Sequence, residues 1–93
     1  MDNSVNVYRV RVMTAEPDGY CLDDCNNFVG TVSELGEHMR FIAAEYAFNE
    51  EFDCDIVGPD EVSEYGTTIE YVVDLVEDHG IFTKIIAEPV YNS

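Results

Sequence analysis

TTIEYVVDLVEDHGIFTKIIAEPVY, residues 67–91, decides the fold. Over residues 67–77, Ile69, Tyr71, Val73 and Leu75 share one side of an extended chain, and Glu70, Val72, Asp74 and Val76 share the other. This alternation has the period of two of a β-strand. Asp78-His79-Gly80 supplies a turn, and residues 81–91 supply a returning strand. β-Branched and aromatic residues dominate both arms, so the segment predicts a hairpin. Pro89 has no N–H to donate and marks where the second arm leaves the ladder.

Outward from the hairpin, the same period appears twice more. Residues 5–13 place Tyr8, Val10 and Val12 on one side and Val7, Arg9 and Arg11 on the other. They run into Glu16-Pro17-Asp18-Gly19, where Pro presets φ and Gly suits the end of a turn. A short return strand is expected near residues 20–22, with Asp23-Asp24-Cys25-Asn26-Asn27 as loop. Residues 51–57 alternate Phe52, Cys54 and Ile56 with Glu51, Asp53 and Asp55, which predicts another strand, ended by Gly58-Pro59. Residues 60–66, polar and acidic, read as the connection to the hairpin.

One helix is predicted, over residues 32–49. Thr31 and Glu34 have the spacing of a capping box, in which each side chain satisfies an otherwise orphaned backbone N–H. Leu35, Met39, Ile42 and Tyr46 form an apolar stripe at 3.6-residue spacing, and Phe41, Ala44 and Phe48 form a second beside it. The second stripe is read as core; the competing reading is an exposed contact patch. Gly36 weakens the first turns by about 1 kcal/mol. The expected architecture is one α+β domain over residues 1–93: an antiparallel-dominated sheet of four or five strands with one helix packed on one face.

Composition limits the function. Twenty Asp and Glu against four Lys and Arg give a formal charge of −16. Such a field repels phosphates and anionic headgroups and attracts basic surfaces, so direct nucleic-acid binding and membrane binding are not expected. Disorder is not expected either, because 46% of the chain is hydrophobic, with six Tyr and five Phe. An odd set of three Cys and no apolar leader after Met1 point to a reducing, cytoplasmic setting. No apolar run reaches the roughly 20 residues a membrane helix needs.

Chemical motifs are weak. Cys21 and Cys25 with Cys54 and His38 or His79 lack the paired short knuckles of a zinc site; Cys54 reads as a small core residue, Cys21 and Cys25 as loop or edge thiols, and a histidine on the helix as solvent-facing. No nucleophile elbow, EF-hand loop or phosphate-cradling Gly-rich motif is present. No catalytic residue, metal ligand or cofactor is expected.

The charge distribution says more. From Phe41 to Thr83 there is no Lys or Arg, while twelve acids occur. Partner-binding residues are expected among Glu50, Glu51, Asp53, Asp55, Asp60, Glu61, Glu64, Glu70 and Asp74, with Glu51, Asp53 and Asp55 in a row spaced about 6.6 Å apart. Duplex DNA carries about one charge per 1.7 Å, so sixteen charges match roughly 27 Å, or about eight base pairs. Ordinary solubility needs a net charge of only about 2–8. A homodimer would double the charged length to about 16 base pairs.

In size, acidity and lack of a catalytic motif the chain resembles the small DNA-mimic proteins that phages and mobile elements make against restriction or CRISPR systems. The resemblance implies a non-enzymatic inhibitor in the cytoplasm of a bacterial host, whose carboxylates occupy the groove of a basic nucleic-acid-binding protein such as a nuclease, a surveillance complex or a transcription regulator. The alternative is an acidic protein–protein interaction adaptor that uses Phe41, Phe48 or the Tyr-rich hairpin as anchors. Adaptation of the surface to high salt, and a small enzyme, are further readings.

Overall fold

In a computed structural model, the chain is described over residues 5–49, 54–64, 68–77 and 80–90. Strand β1 (Asn6–Glu16) turns through Pro17-Asp18 into β2 (Gly19–Gly30). Helix α1 (Val32–Asn49) follows, then β3 (Asp55–Glu64), β4 (Thr68–Glu77) and β5 (Gly80–Pro89). The five strands form one antiparallel sheet in the order β2-β1-β5-β4-β3. The α+β architecture read from the sequence is the observed one. Because β2 and β3 are opposite edges, the chain between them crosses the sheet, and α1 packs against β2, β3 and β4 on one face.

The core forms where the alternation said it would. Tyr8, Val10 and Val12 of β1, Val73 and Leu75 of β4, and Ile85 and Ala87 of β5 are buried beneath Leu35, Met39 and Ala43 of α1. Each of the larger side chains contributes about 1.5–3 kcal/mol by leaving water. Tyr8 and Tyr71 meet edge to face, with centroids 6.2 Å apart. The helix begins as its capping box requires: the Thr31 N–H donates to Glu34 Oε1 at 3.0 Å, and the Glu34 N–H donates to Thr31 Oγ1 at 3.2 Å.

Four expectations are corrected. Strand β2 does not stop near Leu22: Asp24 to Asn27 pair with β1, and the extra residue, Asp23, is absorbed by a register shift between Val12 and Met13. Pairing with β1 supplies the backbone bonds, and an edge strand tolerates the polar side chains that looked like loop. Likewise β3 does not end at Gly58-Pro59. The register shifts between Val57 and Asp60, so these residues form a bulge, and residues 60–64, expected as a connection, pair with β4. Proline is tolerated there because β3 is also an edge.

Third, the stripe of Phe41, Ala44 and Phe48 is not core. Phe41 is 62% and Phe48 83% exposed, because Leu35, Met39 and Ala43 already fill the contact with the sheet. Fourth, His38 is not simply solvent-facing; it is half-buried and stacks on Phe28 of β2 at 4.6 Å.

The glycine in the helix has a packing reason. A Cβ on Gly36 would come within 3.3 Å of Pro59 Cγ, so the missing side chain lets α1 approach the β3 bulge. Arg40 donates from α1 to the carbonyl of Gly58 in the same bulge. Asp78 and His79 of the expected turn lie outside the described residues, although Glu77 and Gly80 on either side pair. Strand β5 ends at Pro89, as expected.

Candidate binding surface

The sheet divides the charges between two sides. On the side away from α1, antiparallel register places Arg9, Arg11 and Lys84 together with Asp55, Asp60, Glu70, Asp74 and Glu88. Glu88 lies beside both arginines, 3.4 Å from Arg9 Nη1 and 3.9 Å from Arg11 Nη2. Lys84 pairs in register with Asp74 and lies 5.6 Å from the Tyr20 ring centre. Three bases thus stand among acids on this side.

The helix side is different. Glu34, Glu37 and Glu45 project from α1 into solvent. Glu61, opposite Tyr71, borders a cavity of about 160 Å³ with Val32, Gly36 and Pro59. At the other end of the helix, Asp23 and Glu77 line a cavity of about 320 Å³ with Tyr46 and Thr83, and Asp24 pairs opposite Val12. With Glu16, which register also places on this side, eight acids among the described residues share it with one base, Arg40, whose guanidinium is engaged with Gly58. Asp24 is fixed by bonds accepted from the Cys25 N–H at 2.9 Å and from Asn26 Nδ2 at 3.1 Å.

Tyr46 donates its hydroxyl to Asp23 Oδ2. That bond is the chief reason its pKa is raised to about 12, with burial and the charges of Asp23 and Asp24 adding to it. Glu34 is shifted the other way: the Thr31 N–H, then the Thr31 hydroxyl, hold its carboxylate below the usual value. Between these two polar ends, the outer face of α1 carries apolar side chains among its acids. Phe41, Ala44 and Phe48 line a shallow groove of about 400 Å³ with Glu45 at its rim.

Of the residues singled out from the sequence, Asp55, Asp60, Glu70 and Asp74 come together on β3 and β4. Each faces a valine across the ladder or stands diagonal to the next acid: Asp55 opposite Val76, Asp74 opposite Val57, Asp60 opposite Val72 and Glu70 opposite Val62. Glu61 points to the other face, Glu64 pairs opposite Thr68, and Glu50, Glu51 and Asp53 lie outside the described residues. The acidic block that looked continuous in sequence is split by strand alternation. Asp23, Asp24, Glu34, Glu37, Glu45 and Glu77 were not singled out. Helix phase, once pinned by the capping box, was the signal that would have placed Glu37 and Glu45 beside Phe41 and Phe48.

Among the described residues, no group of three or more His, Cys, Asp and Glu side chains could hold a metal ion. Cys21 and Cys25 are exposed on the edge strand, and Cys54 packs against the core. No described helix is long and apolar enough to cross a membrane. No family model and no solved structure matches the chain.

Proposed function

We propose that this protein is a non-enzymatic, acidic binding protein that occupies the basic groove of a nucleic-acid-binding protein and excludes nucleic acid from it. The observation that carries this reading is the segregation of charge among the described residues: eight acids and one engaged base on the helix side, with the other three bases on the opposite face. A surface of uncompensated carboxylates meets a Lys/Arg groove as phosphates do, by charge neutralisation and release of counterions.

The exposed Phe41 and Phe48 favour a second reading, in which aromatic anchors carry the affinity and charge serves to steer the encounter. The two readings rank variants differently. With the host proteins that the immobilised protein retains from a bacterial lysate at low salt, Glu37→Gln combined with Glu45→Gln should weaken retention more than Phe41→Ser combined with Phe48→Ser. The salt needed for elution should also fall. The reverse ranking, with a salt-insensitive complex, would establish the aromatic reading instead.

A further inference from the structure

We infer that the open face of the sheet is a self-association surface, and that its occupant is a second copy of this chain packed face to face. Six of the ten large apolar side chains exposed among the described residues lie on it: Tyr20, Leu22, Val29, Val57, Val62 and Ile81. Half-buried Met13, Ile86 and Val72 continue this apolar surface across the three central strands. A five-stranded face at about 4.8 Å per strand and ten residues at about 3.3 Å per residue covers roughly 800 Å². A stable interface of standard size needs about 800 Å² from each partner.

On either side of the central strand, the charges on this face complement those of a second copy. Arg9 and Arg11 stand on β1, on one side of the central strand β5; Glu70 and Asp74 stand on β4, on the other. A two-fold axis running along β5, between two facing sheets, lays β1 of each copy over β4 of the other. Arg11 and Val72 both pair with Ile86, so they share a level across the sheet. Arg11 of one copy then meets the other copy between Asp74 and Glu70, and Arg9 meets it near Glu70. The relation is isologous, so each contact occurs twice. Association through the sheet edges is disfavoured, since Asp23 and Asp24 guard β2 and the Pro59 bulge interrupts β3.

Two copies of charge −16 repel each other over a Debye length of about 30 Å at 0.01 M salt, but over only about 8 Å at 0.15 M. Self-association should therefore strengthen with salt, opposite to binding of a basic partner. Sedimentation equilibrium tests the inference. The wild type should be a monomer of 10.5 kDa at low salt and twice that mass at physiological salt and micromolar concentration. Arg11→Glu and Asp74→Arg should each weaken self-association at least tenfold, and their equimolar mixture should restore a dimer, because both complementary contacts return in the mixed pair. Leu22→Glu, at an exposed position that the fold does not need, should also give monomer, whereas Phe48→Ser on the helix should not. The inference is overturned by a wild type that stays monomeric at all salt concentrations, by a dimer that Leu22→Glu leaves intact, or by folded charge variants whose mixture does not pair.

Discussion

Asp23 is the bulged residue of an edge strand, and its carboxylate accepts the Tyr46 hydroxyl from the helix. Only the neutral phenol can donate that bond, so the folded state holds Tyr46 protonated up to about 12, against an ordinary value of 10.0. The stabilisation is fully present below pH 10 and is lost as pH rises from there toward 12. Ultraviolet titration should show one tyrosine ionising near 12, and Asp23→Asn should return it toward the ordinary range. A titration unchanged by Asp23→Asn would remove the bond from the account. Gly58 is constrained in another way. Its φ of +114° and a gap of 2.5 Å between an ideal Cβ and the Val72 carbonyl oxygen leave no room for a side chain. Gly58→Ala should cost on the order of 1–3 kcal/mol by chemical denaturation; at Gly19, whose φ is +131°, an added Cβ meets no neighbour and the cost is the backbone strain alone.

At the scale of elements, the capping box is the most self-contained device in the chain. Thr31→Ala should lower stability by about 1 kcal/mol in urea denaturation, and Glu34→Gln should lose less because an amide can still accept the Thr31 N–H. The Glu34 carboxylate is held below its ordinary 4.5, so its contribution is present above that value and fades as pH falls through the lowered one. Glu34→Gln should flatten that part of the acid-stability curve. This box was legible at once, because its two side chains and two backbone donors are all within four residues. So were β1, α1, β4 and β5, where buried faces impose a clean period. The edge strands were not. Asn26, Asn27, Pro59 and Asp60 read as loop because local propensity carries no information about a neighbouring strand, and pairing with β1 or β4 supplied the bonds that overrode it. The exposure of Phe41 and Phe48 was equally hidden, since how wide a helical stripe the sheet can cover depends on Leu35, Met39 and Ala43 filling it first. The same split hid the site: Asp60 and Glu61 are neighbours in sequence and stand on opposite faces.

For the whole molecule, charge is a constraint on stability and, in the proposed function, the basis of binding. The domain measures 39 × 25 × 20 Å, so the carboxylates of the described residues lie within a few Debye lengths of one another at physiological salt. Its melting temperature should therefore rise with added salt, as self-repulsion is screened. Its charge of −16, which duplex DNA presents over roughly 27 Å, is carried within a long dimension of 39 Å, and in the proposed function the acids of the helix side meet a basic groove. The measurement that tests this most directly is competition by nucleic acid. Host proteins retained by the immobilised protein at low salt are challenged with short duplex DNA at unchanged ionic strength. The DNA should release them, because both ligands claim one groove. Proteins that take up the DNA while staying bound, in a ternary complex, would contradict it.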